Sequence, residues 1–305
     1  MPTRVRWDID FHGRAGRTKR IARQIREALP GIVELRIEGE KGLSELPAIF
    51  TEIHEGVPRV EATVRLFPGA TSVARRGYAM DFIWQVNARA PFRRLLLPGA
   101  EAISFTPDED SLPHLPDVLE EFAESNVRVM HLTNVNAIRA LAKVGHVPVP
   151  RPGQLQKAAE IISRLPISLA GKRLVIHDYF LWKLLHAVFP DEAGERVEFS
   201  GCQAASGLAY VDWEGNVYPC DSLPIRLGNL QERTFVKIWR SPARAQILDA
   251  LHAVPASCEP CDPPKGCLFG CPGLAYAVSG SPDAPAPSGT ESPATAAPGD
   301  SSPTT

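Results

Sequence analysis

The sequence predicts an α/β chain in which strand–helix units build an open, mostly parallel sheet, followed by a small cysteine-rich α+β module. Three observations predict this. Strand-like and helix-like stretches alternate through six units before residue 190. The helical periodicity breaks after Asp191. All six cysteines then fall between Cys202 and Cys271.

Residues 4–10 read as the first strand, and an amphipathic helix follows with Ile21, Ile25 and Leu29 on one face. Residues 32–37 read as a strand and 43–53 as a helix. Residues 59–67 alternate Val60, Ala62, Val64 and Leu66 and read as the third strand. A helix is expected over 74–88, then a fourth strand region from 93–97 with 102–105. A helix over 115–124, a strand over 127–132 and helices over 137–144 and 155–165 follow. Residues 173–176 read as the sixth strand and 181–189 as its helix. Such alternation implies βαβ units, and six of them suggest an open, partial barrel or a doubly wound sheet, short of the eight in a complete barrel. Beyond Asp191 a hairpin is expected over 208–218, where Gly215 supplies a positive φ at its turn. Helices are expected over 235–239 and 243–251. Residues 281–305 hold six prolines and no basic, aromatic or large aliphatic residue, so this tail is expected to be disordered.

The chain has 305 residues, 44% hydrophobic and 22% charged, in the range of globular proteins. A net charge of −2 argues against a nucleic-acid partner. No apolar run approaches the ~18 residues that span a bilayer, so no membrane association is expected. The start carries Arg4, Arg6, Asp8 and Asp10 and no apolar signal region, and a cytoplasmic location is expected.

The cysteines are spaced as a metal site. Cys202 is followed by twelve residues, Gly215, four residues and Cys220. The rest read Cys258-x2-Cys261-x5-Cys267-x3-Cys271. Thiolates are soft ligands that select iron–sulfur clusters or zinc. Structural zinc would use four thiols and leave Cys202 and Cys220 over. Disulfides would pair six cysteines evenly, but they suit an exported chain. Spacing favours iron–sulfur and leaves zinc open.

This pattern resembles the SPASM domain, the auxiliary-cluster module of many radical S-adenosylmethionine (radical SAM) peptide-modifying enzymes. The intervening residues agree: Asp212-Trp213-Glu214-Gly215-Asn216-Val217-Tyr218-Pro219-Cys220, then Leu227-Gly228-Asn229-Leu230 and Ile238-Trp239-Arg240-Ser241. The resemblance implies one [4Fe–4S] cluster on Cys202, Cys220 and Cys271 and a second on Cys258, Cys261 and Cys267. The family pattern has a seventh cysteine, and none follows Cys271 here. Each cluster is therefore left one position short, which Asp221, Asp262 or His252 could fill. The N-terminal part resembles the partial (βα)6 barrel of radical SAM enzymes. There, the loop after the first strand carries Cys-x3-Cys-x2-Cys; here it reads Phe11-His12-Gly13-Arg14-Ala15-Gly16-Arg17. Ile37-Glu38-Gly39-Glu40 stands where that family has Gly-Gly-Glu.

The resemblance thus divides the chain into a degenerate barrel (1–193), a SPASM-like iron–sulfur domain (194–279) and a tail (280–305). The whole resembles the SPASM-domain companion protein of GeoRSP-type systems. That implies an iron–sulfur accessory protein in peptide modification, with a radical SAM enzyme and a peptide or peptide-binding protein as partners. Self-sufficient radical SAM catalysis and S-adenosylmethionine binding are not expected. Two other readings stay open: an independent enzyme using an open cluster iron, and a structural zinc module.

Further features have plainer readings. Arg14, Arg17, Lys19, Arg20, Arg23 and Arg26 suit a solvated helix face, or a docking surface for an acidic peptide. His177 and Asp178 follow the sixth strand and are expected to have local partners. Gly13-x2-Gly16 is no phosphate loop. Trp213 and Trp239 are expected to pack the small C-terminal core.

Overall fold

In a computed structural model the chain forms one eleven-stranded sheet, in the order β11-β10-β9-β1-β2-β3-β4-β5-β6-β7-β8. The structure describes residues 1–9, 15–65, 80–87, 92, 100–190, 196–253, 270–281, 284 and 287. Of the expected tail (280–305), only residues 280, 281, 284 and 287 are among them.

Strands β1 (Arg4–Ile9), β2 (Ile32–Ile37), β3 (Arg59–Arg65), β4 (Asp81–Gln85), β5 (Ala102–Phe105), β6 (Val129–Leu132), β7 (Arg173–Ile176) and β8 (Val197–Phe199) pair in chain order, all parallel. Strand β9 (Leu208–Val211) joins the other edge of β1, also parallel. The hairpin partner β10 (Asn216–Tyr218) and the short β11 (Gly228–Asn229) complete the sheet antiparallel. The expected domain boundary near residue 193 does not interrupt the sheet, because β9 sits directly on β1.

The helices are α1 (Ala15–Glu27), α2 (Glu40–His54), α3 (Leu115–Glu124), α4 (Ala137–Val144), α5 (Pro152–Ile162), α6 (Tyr179–Val188), α7 (Phe235–Trp239), α8 (Pro242–His252) and α9 (Pro272–Ser279). Several have side-chain starts. Asn136 accepts from Arg139 N at α4, Asp178 from Leu181 N at α6, Thr234 from Lys237 N at α7 and Ser241 from Arg244 N at α8. Each satisfies an otherwise unpaired backbone N–H of the first turn.

The α/β fold expected from the sequence is the fold observed. Two local expectations are corrected. Strand β4 lies inside the helix expected over 74–88. Its residues Phe82, Ile83 and Trp84 are β-branched or aromatic, and they fit a pleated surface better than a helix. Leu29 is 70% exposed rather than buried beside Ile21 and Ile25. Pro30 disfavours helical backbone at the residue before it. Helix α1 therefore ends at Glu27, and Leu29 turns to φ 49°.

Parallel strands covered on both faces usually read as apolar runs. These strands alternate instead. Val5, Trp7, Val33, Leu35, Val60, Ala62 and Val64 are buried in the core shared with the helices. Arg4, Arg6, Asp8, Glu34, Arg36, Glu61 and Thr63 occupy the alternate positions. In a flat sheet β6 would lie about 24 Å from β1, five strand spacings away. Yet Asn136, just past β6, donates to Asp8 of β1 at 3.4 Å. The sheet is therefore curled around its polar face, as an open barrel.

Candidate metal centre

The three described cysteines sit at three chain turns beside the mouth of this barrel. Cys202 lies in the loop before β9, Cys220 two residues after β10, and Cys271 at the N-cap of α9. Cys220 is buried and the other two are half-buried. Cys202 and Cys271 are near enough to Cys220 to raise its pKa, and Cys202 near enough to raise that of Cys271. Burial pushes the Cys220 thiol well up, and Asp221, Cys271 and Cys202 add to it. Burial, then Cys202, pushes Cys271 up to about 12. Burial likewise raises Cys202.

Against this, backbone N–H groups shortly ahead in the chain work to lower each thiol's pKa: that of Ala204 at Cys202, of Ser222 at Cys220, and of Leu274 and Gly273 at Cys271. Such N–H groups favour the thiolate and are among the protein's means of tuning a cluster. The donor set fits an iron–sulfur cluster: soft sulfurs, N–H donors in place, and a charge deficit that iron would fill. Among the described residues, no three His, Cys, Asp or Glu side chains converge as they would on a single metal ion.

Local packing holds these turns together. A Cβ on Gly273 would lie 3.0 Å from the Ser222 carbonyl carbon and 3.1 Å from Leu223 N. Helix α9 can approach the Cys220 turn this closely because residue 273 has no side chain. Ser222 Oγ donates to Val135 O at 2.9 Å, and Leu274 packs with Val135 and Ala137. Arg244 Nη1 donates to Ala205 O at 2.6 Å and lies over the Trp239 ring, fixing the Cys202 loop.

Cys258, Cys261 and Cys267 lie outside the described residues, as do Asp262, His12 and Gly13. His252 ends α8 and is exposed. Asp221 is committed elsewhere: Arg36 Nη1 lies 2.6 Å from its Oδ2, and Arg6 Nη1 lies 3.3 Å from its Oδ1. Its carboxylate is held by guanidinium groups of the barrel.

Asp221 belongs to a buried charge network that the sequence reading did not anticipate. Glu34 takes Arg6 Nε at 2.8 Å, Arg36 Nε at 3.2 Å, Arg4 Nη1 at 3.4 Å and Thr63 Oγ1 at 3.2 Å. Arg4 also reaches Glu61 at 2.6 Å. Burial works to raise the Glu34 pKa, but Arg6, Arg36 and Arg4 together hold it well below the carboxylate range. At the C-terminal ends of β1 and β2, Arg139 of α4 pairs with Asp8 at 2.6 Å and with Glu38, which Lys143 also holds at 3.0 Å. Tyr210 of β9 donates to the same Asp8 oxygen as Arg139. The available signal was the alternation of charges along β1 to β3, which a two-faced apolar sheet would not carry.

The plainer features have local explanations. His177 Nδ1 lies 3.0 Å from Ser200 Oγ, and Asp178 caps α6. Arg23 and Arg26 pair with Glu52 of α2, leaving Lys19 and Arg20 exposed. Trp239 is buried against Phe235, whereas Trp213 is half-buried.

Residues 202–262 match the SPASM family model, described as an iron–sulfur cluster-binding domain. That stretch is similar to a SPASM domain. The stretch includes Cys202, Cys220, Cys258 and Cys261 and ends before Cys267 and Cys271. The chain is also similar to the AdoMet-dependent heme synthase of Nitratidesulfovibrio vulgaris, 31% identical over 94 residues, covering 31% of this chain and 25% of that protein. It is 34% identical over 80 residues to the enzyme of the same name from Methanosarcina barkeri, covering 26% and 23%. The chain thus matches about a quarter of the length of these curated relatives. Among solved structures, anSMEcpe with bound AdoMet superposes with a TM-score of 0.62 at 14% identity, over 93% of this chain and 94% of that one. SuiB of Streptococcus suis superposes with a TM-score of 0.57 at 13% identity, over 93% and 76%. At such identities the likeness is one of fold, and it extends across the barrel and the SPASM domain together. No described helix is long and apolar enough to cross a membrane.

Proposed function

We propose that this chain is an iron–sulfur protein that works beside a separate radical SAM enzyme in peptide modification. One observation carries the reading. The fold is that of structures solved with AdoMet bound, yet no cysteine precedes Cys202, so the first barrel loop has no thiolate to hold a cleaving cluster. Cys202, Cys220 and Cys271 would hold one [4Fe–4S] cluster, and Cys258, Cys261 and Cys267 a second. When bound, such clusters store and pass single electrons. The chain's own residues supply burial, N–H donors to sulfur and a fixed charge at Asp221. A peptide context is suggested by a neighbour of the same fold, solved with bound AdoMet and the Cp18Cys peptide. The GeoRSP-type companion role belongs to this same reading.

The relatives' name favours a second reading, in which the chain is itself an AdoMet-dependent enzyme. An anaerobic assay with dithionite separates the two. The accessory reading expects iron and sulfide on the protein and no 5′-deoxyadenosine from it alone. It also expects a partner radical SAM enzyme to modify its peptide faster when this chain is added. Production of 5′-deoxyadenosine by the lone chain, lost in Cys258→Ala, would establish the enzyme reading. A colourless protein with about one zinc would establish a structural zinc module instead.

A further inference from the structure

The residue after Cys220 is the only acid in the C-terminal segment that enters the barrel's buried charge network among the described residues. Asp221, Glu34, Arg6 and Arg36 form a closed square of two carboxylates and two guanidiniums. Its edges are Asp221–Arg36 at 2.6 Å, Arg36–Glu34 at 3.2 Å, Glu34–Arg6 at 2.8 Å and Arg6–Asp221 at 3.3 Å. All four side chains are between 7% and 16% exposed. The square has no net charge. Its neighbours Arg4 and Glu61 add one positive and one negative charge and keep the balance. The peptide that carries Asp221 is also pinned, since Ile138 N donates to Asp221 O at 3.3 Å. The main-chain bond holds the Cys220–Asp221 turn against α4, and the two arginines hold the carboxylate.

Charges in such a site interact several-fold more strongly than in water. We infer that Arg36 and Arg6 act through Asp221 as positioning residues that set the charge felt by the Cys202/Cys220/Cys271 site. This rests on the reading that those thiols hold a cluster. Removing Arg36 leaves the square with one net negative charge beside Cys220, which opposes adding an electron there. Removing the Asp221 charge leaves one net positive charge, which favours it. Removing both restores neutrality. Strands β1 and β2 would then tune a centre that the chain builds about 180 residues later.

The test is a redox titration of anaerobically reconstituted full-length protein, followed by EPR. The signal followed is the one that Cys220→Ala abolishes. At the wild-type midpoint, Arg36→Gln should shift the oxidised-to-reduced ratio from 1:1 to about 10:1, or about 59 mV for one electron. Asp221→Asn should shift it about tenfold the other way. The double variant, and Arg36→Lys, should stay within about twofold of wild type. If Arg36→Gln does not retain iron, Asp221→Asn decides alone. An unchanged midpoint in an iron-loaded Asp221→Asn protein overturns the inference while leaving the cluster reading intact. A wild-type protein without iron, or no signal dependent on Cys220, would instead defeat the cluster reading and this inference with it.

Discussion

Gly273 shows how one missing side chain lets a helix approach a distant cysteine turn. Alanine at a helical glycine ordinarily stabilises by about 0.5–1 kcal/mol. At Gly273 the new methyl would press on the backbone of Ser222 and Leu223, which cannot rotate aside. Gly273→Ala is expected to cost about 1–3 kcal/mol and to lower iron retention, because α9 and Cys271 must back away from Cys220. Gly153→Ala in α5, where nothing lies within 4 Å, is the matched control and should be neutral or stabilising. Iron content and thermal midpoint of the two variants check this; equal behaviour would contradict it. Leu29 is the reverse case, a leucine in left-handed backbone with no burial to justify it. Leu29→Gly should raise stability by up to about 1 kcal/mol in urea unfolding. Two histidines set an acid limb. Burial chiefly depresses His131 to about 4, and burial with Arg6 depresses His177 to about 3, both from 6.5. The unfolded chain binds these protons first, so stability should fall as pH drops from about 6.5 toward 4. His131→Gln should flatten that fall, and an unchanged slope of urea midpoint against pH would refute it.

At the scale of elements, the sequence was readable where local pattern and global position agree. Strands over 32–37 and 173–176 and helices over 115–124 and 137–144 lie where the residue pattern puts them. Apolar periodicity, Asn136 as a cap and Gly145 after α4 all point the same way there. Strand β4 was not legible, because its short run is flanked by no strong turn signal and was absorbed into a helical pattern. The three-residue β8 and the Cys-Pro-Gly start of α9 depend on tertiary packing more than on propensity. The cysteines themselves were legible from spacing, but the approach of Cys271 to Cys220 depends on Gly273 meeting a distant turn. The charge network was legible only as alternation, since its partners lie on different strands and in the C-terminal segment. Glu34 is its centre, with three arginines within 3.4 Å. Glu34→Gln should cost about 3–5 kcal/mol by leaving buried guanidiniums underpaired. Chemical denaturation would show this, and a loss under about 1 kcal/mol would mean that water reaches the network.

At the scale of the molecule, the sheet makes the barrel and the SPASM region one mechanical unit. Strand β9 extends β1, Tyr210 and Arg139 share Asp8, and Asp221 locks the Cys220 turn to β1 and β2. The chain shares the fold of an AdoMet-bound structure, and the polar face of its barrel carries the chain's own ion pairs. On the proposed reading, the barrel positions and tunes the cysteine site. The measurement that tests this most directly is 5′-deoxyadenosine formation by anaerobically reconstituted, dithionite-reduced protein of known iron and sulfide content. The account predicts about four to eight irons per chain and no 5′-deoxyadenosine above background. Iron-dependent 5′-deoxyadenosine formation by the chain alone would contradict it.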